Sequence, residues 1–244
     1  MLSSIQAIIF DYGGTLDTAG CHWGQVLWHA YERQQVPVTN QQFRDAYVYG
    51  ERTLGRNPII KPDYTFHRTL ATKIRLEMEH LLTHEAWNAT EEEFNAKHQA
   101  VLDDVYSKVQ AVTAHSHEVL TKLSEHFPMV LVSNFYGNIS CVLQEFGLDK
   151  FFPRIVESAV VGIRKPDPRI FELGVEALQR SERVLESKDI LVVGDSFYKD
   201  ILPAKQAGCQ TTWFKGEGWT QETYDETIPD RIITDLSDLL SLIR

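Results

Sequence analysis

Three largely apolar runs, at residues 5–10, 129–133 and 190–193, with a further strand-like run at 211–214, constrain this chain more than any other feature. Such short runs, without polar alternation, suit strands buried on both faces, the condition of a parallel sheet covered by helices. From residue 114 onward the runs alternate with helical patterns at 118–127, 139–146, 171–178 and 201–207, the second stopped by Gly147 and the last closed by Gly208. Ile232 and Ile233 offer a final short strand before a Leu-rich helix over 236–243. The expected fold class is α/β with a parallel sheet.

The first run is separated from the second by a stretch of different texture. Residues 19–112 are polar, flecked with aromatics and almost free of strand-like sequence. Trp23, Leu27, Ala30 and Tyr31 recur at helical spacing. Thr39 and Asn40 offer a cap for a helix from about Gln41, with Phe43, Ala46, Tyr47 and Gly50 along one side. Pro58 and Pro62 interrupt the pattern. A helix over about 64–82 follows, and Thr90 with Glu93 forms a capping box for one ending near Val109. Four helices without a sheet partner predict an all-helical module, inserted after the first strand. The division is therefore a core of 1–18 and 113–244 and a helical insert of 19–112.

Composition narrows the partners. A net charge of −10 over 244 residues argues against a nucleic-acid surface, which needs clustered Lys and Arg, and against an anionic membrane. Three widely spaced cysteines, Cys21, Cys141 and Cys209, fit reduced thiols better than a disulfide framework. No run approaches a membrane span, and no basic region precedes the first apolar run, so a cytoplasmic protein is expected.

The polar residues that end the strands carry the chemistry. Asp11, Ser133 with Asn134, and Asp195 each stand where an apolar run meets its loop, on one edge of a parallel sheet. Asp200 follows Asp195 by five positions, and Lys165 lies in a Pro-rich loop that opens a helix at about Pro168. Neighbouring carboxylates repel unless a cation separates them, and a hard oxygen-ligated ion such as Mg²⁺ suits Asp11 and Asp195. Ser133, Asn134 and Lys165 would hold an anion beside it. This is equipment for phosphoryl transfer, in which positioning and charge neutralisation do most of the catalysis.

The ordered set Asp11-x-x-Gly14-Thr15-Leu16, Ser133-Asn134, Lys165-Pro166-Asp167-Pro168 and Gly194-Asp195-Ser196-x-x-x-Asp200 resembles the haloacid dehalogenase (HAD) superfamily. The resemblance is to its phosphatase-like branch, with a helical cap inserted after the first motif, and it covers the whole chain. It implies a Rossmann-like core with 19–112 as the cap. It also implies that Asp11 is the nucleophile, forming an aspartyl-phosphate. Asp195 and the Gly13 carbonyl would bind Mg²⁺ beside Asp11, with Asp200 as ligand or close support. Ser133 and the Asn134 backbone would bind the phosphoryl oxygens, and Lys165 would neutralise both phosphoryl group and nucleophile. The implied substrate is a small phosphorylated metabolite, handled by a monomer or homodimer.

One position departs from the pattern. Phosphatases of the family carry a second Asp where this chain has Gly13, and that acid protonates the leaving oxygen and activates water. A positioned acid or base contributes roughly 10²–10⁴-fold. Three readings stand. The chain is a phosphatase whose proton comes from water, substrate, cap, His22 or Asp17, favouring good leaving groups. It performs related chemistry, although the metal-binding form of the Asp195–Asp200 motif disfavours dehalogenation, and neither cap lysine, Lys61 or Lys73, has a context matching phosphonate hydrolysis. Or it is an impaired enzyme that binds phosphate ligands or regulates a partner.

Other features receive plainer readings. Trp23, Trp28, Tyr31, Tyr47 and Tyr49 are expected mainly in the bundle core, and Phe135 and Tyr12 at the site mouth. His115 and His117 read as a solvated stretch before a helix. Gly216-Glu217-Gly218 reads as a flexible loop near the site but outside it. Asp17 is either a cap for the next segment or a hinge contact.

Overall fold

The computed structural model describes residues 5–180, 185–220 and 222–243; the outermost ends of the two core segments, 1–4 and 244, fall outside it. Six parallel strands form one sheet in the order β3-β2-β1-β4-β5-β6: β1 (Ala7–Phe10), β2 (Met129–Ser133), β3 (Ile155–Glu157), β4 (Ile190–Gly194), β5 (Gln210–Phe214) and β6 (Arg231–Ile233). β1 lies at the centre, with Phe10 in register with Leu131 of β2 on one side and Val193 of β4 on the other. Asp11, Ser133 and Asp195 therefore leave the sheet side by side at its carboxyl edge. The strand β3, three residues long, has no counterpart among the apolar runs.

Strand alternation splits the core in two. Ala7 and Ile9 pack with Val130, Val132 and Val192 against Ile170, Phe171 and Val175 of α7 (Arg169–Gln179). Ile8 and Phe10 face the other way, in the cluster that contains Val119, Leu120 and Leu123 and continues into the cap. Every residue of β1, β2 and β4 is buried, as continuous apolar runs require.

The insert is four helices, α1 (Trp23–Arg33), α2 (Asn40–Arg56), α3 (Phe66–Thr83) and α4 (Glu91–Ser124). Capping boxes at Thr39 with Gln42 and at Thr90 with Glu93 start α2 and α4. Tyr31, Phe43, Ile74, Met78, Val101 and Val105 fill the middle of the bundle.

α4 corrects the expected helix ends. The chain does not stop near Val109 and restart at 118; it continues as one helix of 34 residues from cap to core. Nothing between Glu91 and Ser124 is Gly or Pro, so no breaker exists to end it. His115 and His117 are consequently mid-helix: His115 Nε2 meets Asp235 at 3.2 Å and His117 packs edge-on against Phe151. Ser116 donates to the Leu16 carbonyl (2.8 Å), tying this helix to the first motif.

The remaining elements complete the cover: α5 (Ile139–Glu145), the short α6 (Ser158–Val161), and α8 (Leu202–Gln206), entered through a wide π-type turn at Phe197–Ile201. The Leu-rich tail is a 3₁₀ helix, Leu236–Leu242. No helix among the described residues is long and apolar enough to cross a membrane.

Candidate active site

Asp11 leaves β1 with its N–H donated to the Val193 carbonyl (3.0 Å) and its carboxyl buried. The turn that follows needs Gly14: its φ is +102°, and a Cβ there would stand 2.3 Å from the Asp195 carboxyl. Thr15 then knits the two motifs together. Its hydroxyl accepts the Asp195 N–H (3.0 Å) and lies 3.1 Å from Asp11 Oδ2 and 3.2 Å from Asp195 Oδ1. The π-type turn after β4 places Asp200, whose Oδ2 accepts the Ser196 N–H (3.0 Å).

Lys165 is delivered by Asn134. The Asn134 side chain accepts the Lys165 N–H (3.0 Å) and donates to its carbonyl (3.1 Å), fixing the loop backbone. The ammonium reaches Asp11 Oδ1 at 2.5 Å and Asp200 Oδ1 at 2.7 Å, almost wholly buried. Burial opposes its charge, but Asp11 and Asp200 outweigh burial and hold its pKa above the ordinary lysine value.

Buried Asp11 and Asp200 share that one ammonium with half-buried Asp195 beside them, and the imbalance shows. Burial, offset in part by Lys165 and reinforced by Asp200, pushes Asp11 up to about 6. Burial with Asp200 and Asp11 raises Asp195 well above the usual carboxylate range. Oxygens of Asp11, Asp195 and Asp200 lie within 4.8 Å of one another, the one such acidic group among the described residues. An all-oxygen donor set with surplus negative charge fits a hard divalent cation such as Mg²⁺.

Above Gly13 stands the cap. A Cβ at that position would be 3.8 Å from Trp23 Nε1, an ordinary contact, so the indole borders the space above Gly13. Trp23 donates to Asp17 Oδ2 (3.1 Å), and Asp17 Oδ1 accepts the Gly14 N–H (2.7 Å). Asp17 is thus both a link between turn and cap and a wall of the cavity; burial, offset by the Gly14 N–H and reinforced by the charge of Asp11, pushes it up to about 7. His22 caps α1 by accepting the Gly24 N–H at Nδ1, and burial lowers its pKa to about 4.

The partly open space between core and cap is about 150 Å³. Its floor includes Asp11, Gly13, Asn134, Lys165, Asp195 and Asp200; its roof includes Trp23, Tyr47, Glu51, Phe66 and Lys73. Lys73 pairs with Glu51 (2.5 Å), which also accepts the Tyr136 hydroxyl (3.0 Å) across from the core. The ammonium lies 4.6 Å from the Tyr47 ring centre. Behind it Glu77 is fully buried, accepting from the Tyr31 hydroxyl at 3.3 Å.

All the expected site residues except Ser133 line this one space. Ser133 is buried at the end of β2, and its hydroxyl has no partner among the described residues. Several aromatics fall elsewhere than expected. Trp23 and Tyr47 are roof as much as bundle core, while Tyr12 is fully buried against Phe135, which alone of that pair reaches the cavity. Tyr49 is exposed on α2. Glu51 and Tyr136 were not legible as site residues. Lys73 and Glu77 carried a signal, because they fall on the buried stripe of α3 with Thr69, Leu70, Ile74 and Met78. The Gly216–Gly218 stretch does not line the cavity, but it is docked on the cap rather than free.

Comparison with known proteins agrees with this geometry. Residues 5–208 match the haloacid dehalogenase-like hydrolase family. Glyceraldehyde 3-phosphate phosphatase of Pyrococcus furiosus is 32% identical over 97 residues, a match that takes in 39% of this chain and only 38% of that protein. Phosphoglycolate phosphatase of Vibrio cholerae is 27% identical over 252 residues, covering 99% of this chain and 98% of its own. Among solved structures, the HAD-hydrolase YfnB of Bacillus subtilis bound to magnesium superposes with a TM-score of 0.58 at 18% identity, covering 99% of this chain and 100% of that one. With the match running from β1 to the end of α8 and four helices inserted after the first strand, the chain belongs to the haloacid dehalogenase-like hydrolases.

Proposed function

We propose that this protein is a Mg²⁺-dependent phosphatase of a small phosphorylated metabolite, working through an aspartyl-phosphate on Asp11. The observation that carries the reading is Lys165, buried between Asp11 and Asp200 beside the carboxyl of Asp195. In this reading Asp11 attacks phosphorus as the bond to the leaving oxygen breaks. Lys165 keeps Asp11 ionised and takes up negative charge on the transferring group. The Ser133 hydroxyl has no partner among the described residues, which supports a role on a phosphoryl oxygen although Ser133 does not itself line the cavity. Asp11, Asp195, Asp200 and the Gly13 carbonyl are the groups that would hold Mg²⁺, which supplies charge neutralisation for the phosphoryl oxygens. Residues 1–18 with 113–244 act as the core and 19–112 as the cap, which excludes water and selects the substrate.

The named relatives act on small phosphorylated compounds, and a cavity of about 150 Å³ suits a compound of that size. With Gly13 unable to exchange a proton, either the leaving oxygen departs as an anion or Asp17, at about 7, supplies the proton. Phosphate release from a metabolite panel with and without Mg²⁺ tests the proposal, with Asp11→Asn as control. Release that needs Mg²⁺ and vanishes in the variant is expected.

A second reading rests on the same glycine. With the Trp23 indole over Gly13, the protein is a phosphate-ligand binder with impaired turnover. Wild type as inert as Asp11→Asn on every substrate, yet binding phosphate, would select it.

A further inference from the structure

The loop after β5 crosses from core to cap and ends in a wedge. The Trp219 indole stacks on His22 (ring centres 5.1 Å apart), packs against Tyr47 (4.9 Å) and lies under the Arg44 guanidinium (3.8 Å). Arg44 also donates to the Trp219 carbonyl at 3.0 Å. The residues before it are tied to α1: His22 N–H donates to the Glu217 carbonyl (2.8 Å), Gln25 Nε2 to the Gly218 carbonyl (3.1 Å), and the Glu217 carboxylate meets His29 Nε2 at 2.9 Å.

The cap is shaped to receive this ring. Gly24 is buried in the first turn of α1, and a Cβ there would lie 2.0 Å from the indole. A helix interior loses stability by carrying glycine in place of alanine, so the contact has a local cost. Trp219 does not line the cavity, but both its aromatic partners, His22 and Tyr47, do.

We infer that Trp219 is a positioning residue for substrate binding: a strap from the core that sets how closely the cap wall of His22 and Tyr47 stands over the reaction centre, and so which leaving groups fit. Its kinetic arm rests on the phosphatase reading; its structural arm does not. The ring is held on three sides by cap side chains while its backbone belongs to the core, so shrinking or expelling it moves the wall without touching Asp11, Lys165 or Asp195. Binding is the quantity it governs, and the chemical step is left alone.

The experiment compares the full chain with Trp219→Ala, Trp219→Phe and Gly24→Ala, using acetyl phosphate as a small substrate and p-nitrophenyl phosphate as a bulky one. Trp219→Ala and Gly24→Ala are expected to raise KM for acetyl phosphate about tenfold with kcat within about threefold, and to shift preference toward p-nitrophenyl phosphate. Trp219→Phe restores the wild-type ratio. Gly24→Ala is the decisive variant, because alanine favours the helix and keeps the tryptophan, so its effect comes from expelling the ring. Hydrogen exchange is read in parallel. Amides of residues 22–26 and 215–220 are expected to exchange faster in Trp219→Ala and Gly24→Ala, but not in Trp219→Phe. Unchanged KM in both variants, or an equal loss of kcat on both substrates, overturns the inference. If wild type releases no phosphate at all, the phosphatase reading falls, and unchanged exchange in Gly24→Ala then overturns the strap separately.

Discussion

The floor and the roof of the cavity handle charge in opposite ways. On the floor, buried Asp11 and Asp200 share the Lys165 ammonium beside half-buried Asp195, and the proton affinities of Asp11 and Asp195 rise accordingly. On the roof, Lys73 is matched by Glu51, Glu51 is also hydrogen-bonded by Tyr136, and aromatic rings fill the space between. A burial-costly surplus of carboxylate is relieved by a proton or by a bound cation, whereas a matched pair needs neither. The floor is therefore the part suited to a cation, whereas the Lys73–Glu51 pair on the roof needs none. In the phosphatase reading, reaction belongs to the first and choice of substrate to the second.

The largest test of that contrast is Asp195→Asn. Removing one carboxylate from the surplus should abolish Mg²⁺ binding by calorimetry and lower phosphate release by about 10³-fold or more. A variant that still needs Mg²⁺ at near wild-type rate would mean the floor is not a cation site.

Next in size is the missing acid. Across a series of phosphate esters, kcat/KM should fall steeply as the leaving group becomes more basic if no proton is delivered. If Asp17 delivers it, the dependence is shallow, alkyl-ester turnover declines as pH rises through about 7, and Asp17→Asn loses about 10²–10⁴-fold on alkyl esters only. Gly13→Asp should favour alkyl over aryl esters, because it restores a carboxylate beside the reaction centre and its Cβ meets no clash.

A smaller effect is expected from Glu51→Gln. It loosens Lys73 and Tyr136 and should raise KM about tenfold while kcat stays put. A matching loss in kcat would place the pair on the reaction side of the comparison.

The smallest test concerns Glu77, whose pKa burial pushes from near 4.5 up to about 8. The folded state keeps a proton that the unfolded state has lost between those values, so stability falls as pH rises through this window, and the penalty is complete above about 8. Glu77→Gln should remove the slope. It should be about as stable as wild type near pH 5 and more stable by on the order of 1–3 kcal/mol near pH 9, by chemical denaturation.

The floor was legible because a parallel sheet converts sequence into place: Asp11, Ser133 and Asp195 each end an apolar run, and runs in register end together. The short motifs around them survive as strings for the same reason. The roof has no such rule, since a helix residue reaches the cavity only through the tilt of its bundle. Glu51 and Tyr136 left no pattern, and Trp23 and Tyr47 resembled ordinary core residues. Charges on an apolar stripe were the available hint, and Lys73 and Glu77 both show it. Three-residue β3 is too short to leave a pattern, and a polar stretch near residue 112 mimics a break in α4 although no breaker stands there.

That continuity bears on how the molecule can be taken apart. One stripe of α4 buries Phe94, Val101 and Val105 in the bundle and Val119, Leu120 and Leu123 under the sheet, along a rod about 50 Å long. Grafting this cap onto another core by cutting near residue 112 would sever the rod in mid-turn and strip each half of a neighbour. An exchange that keeps α4 whole, with its junctions placed in the loops at 125–128 and 19–22, respects the way the chain is built. Heat should likewise melt both halves in a single calorimetric transition rather than two.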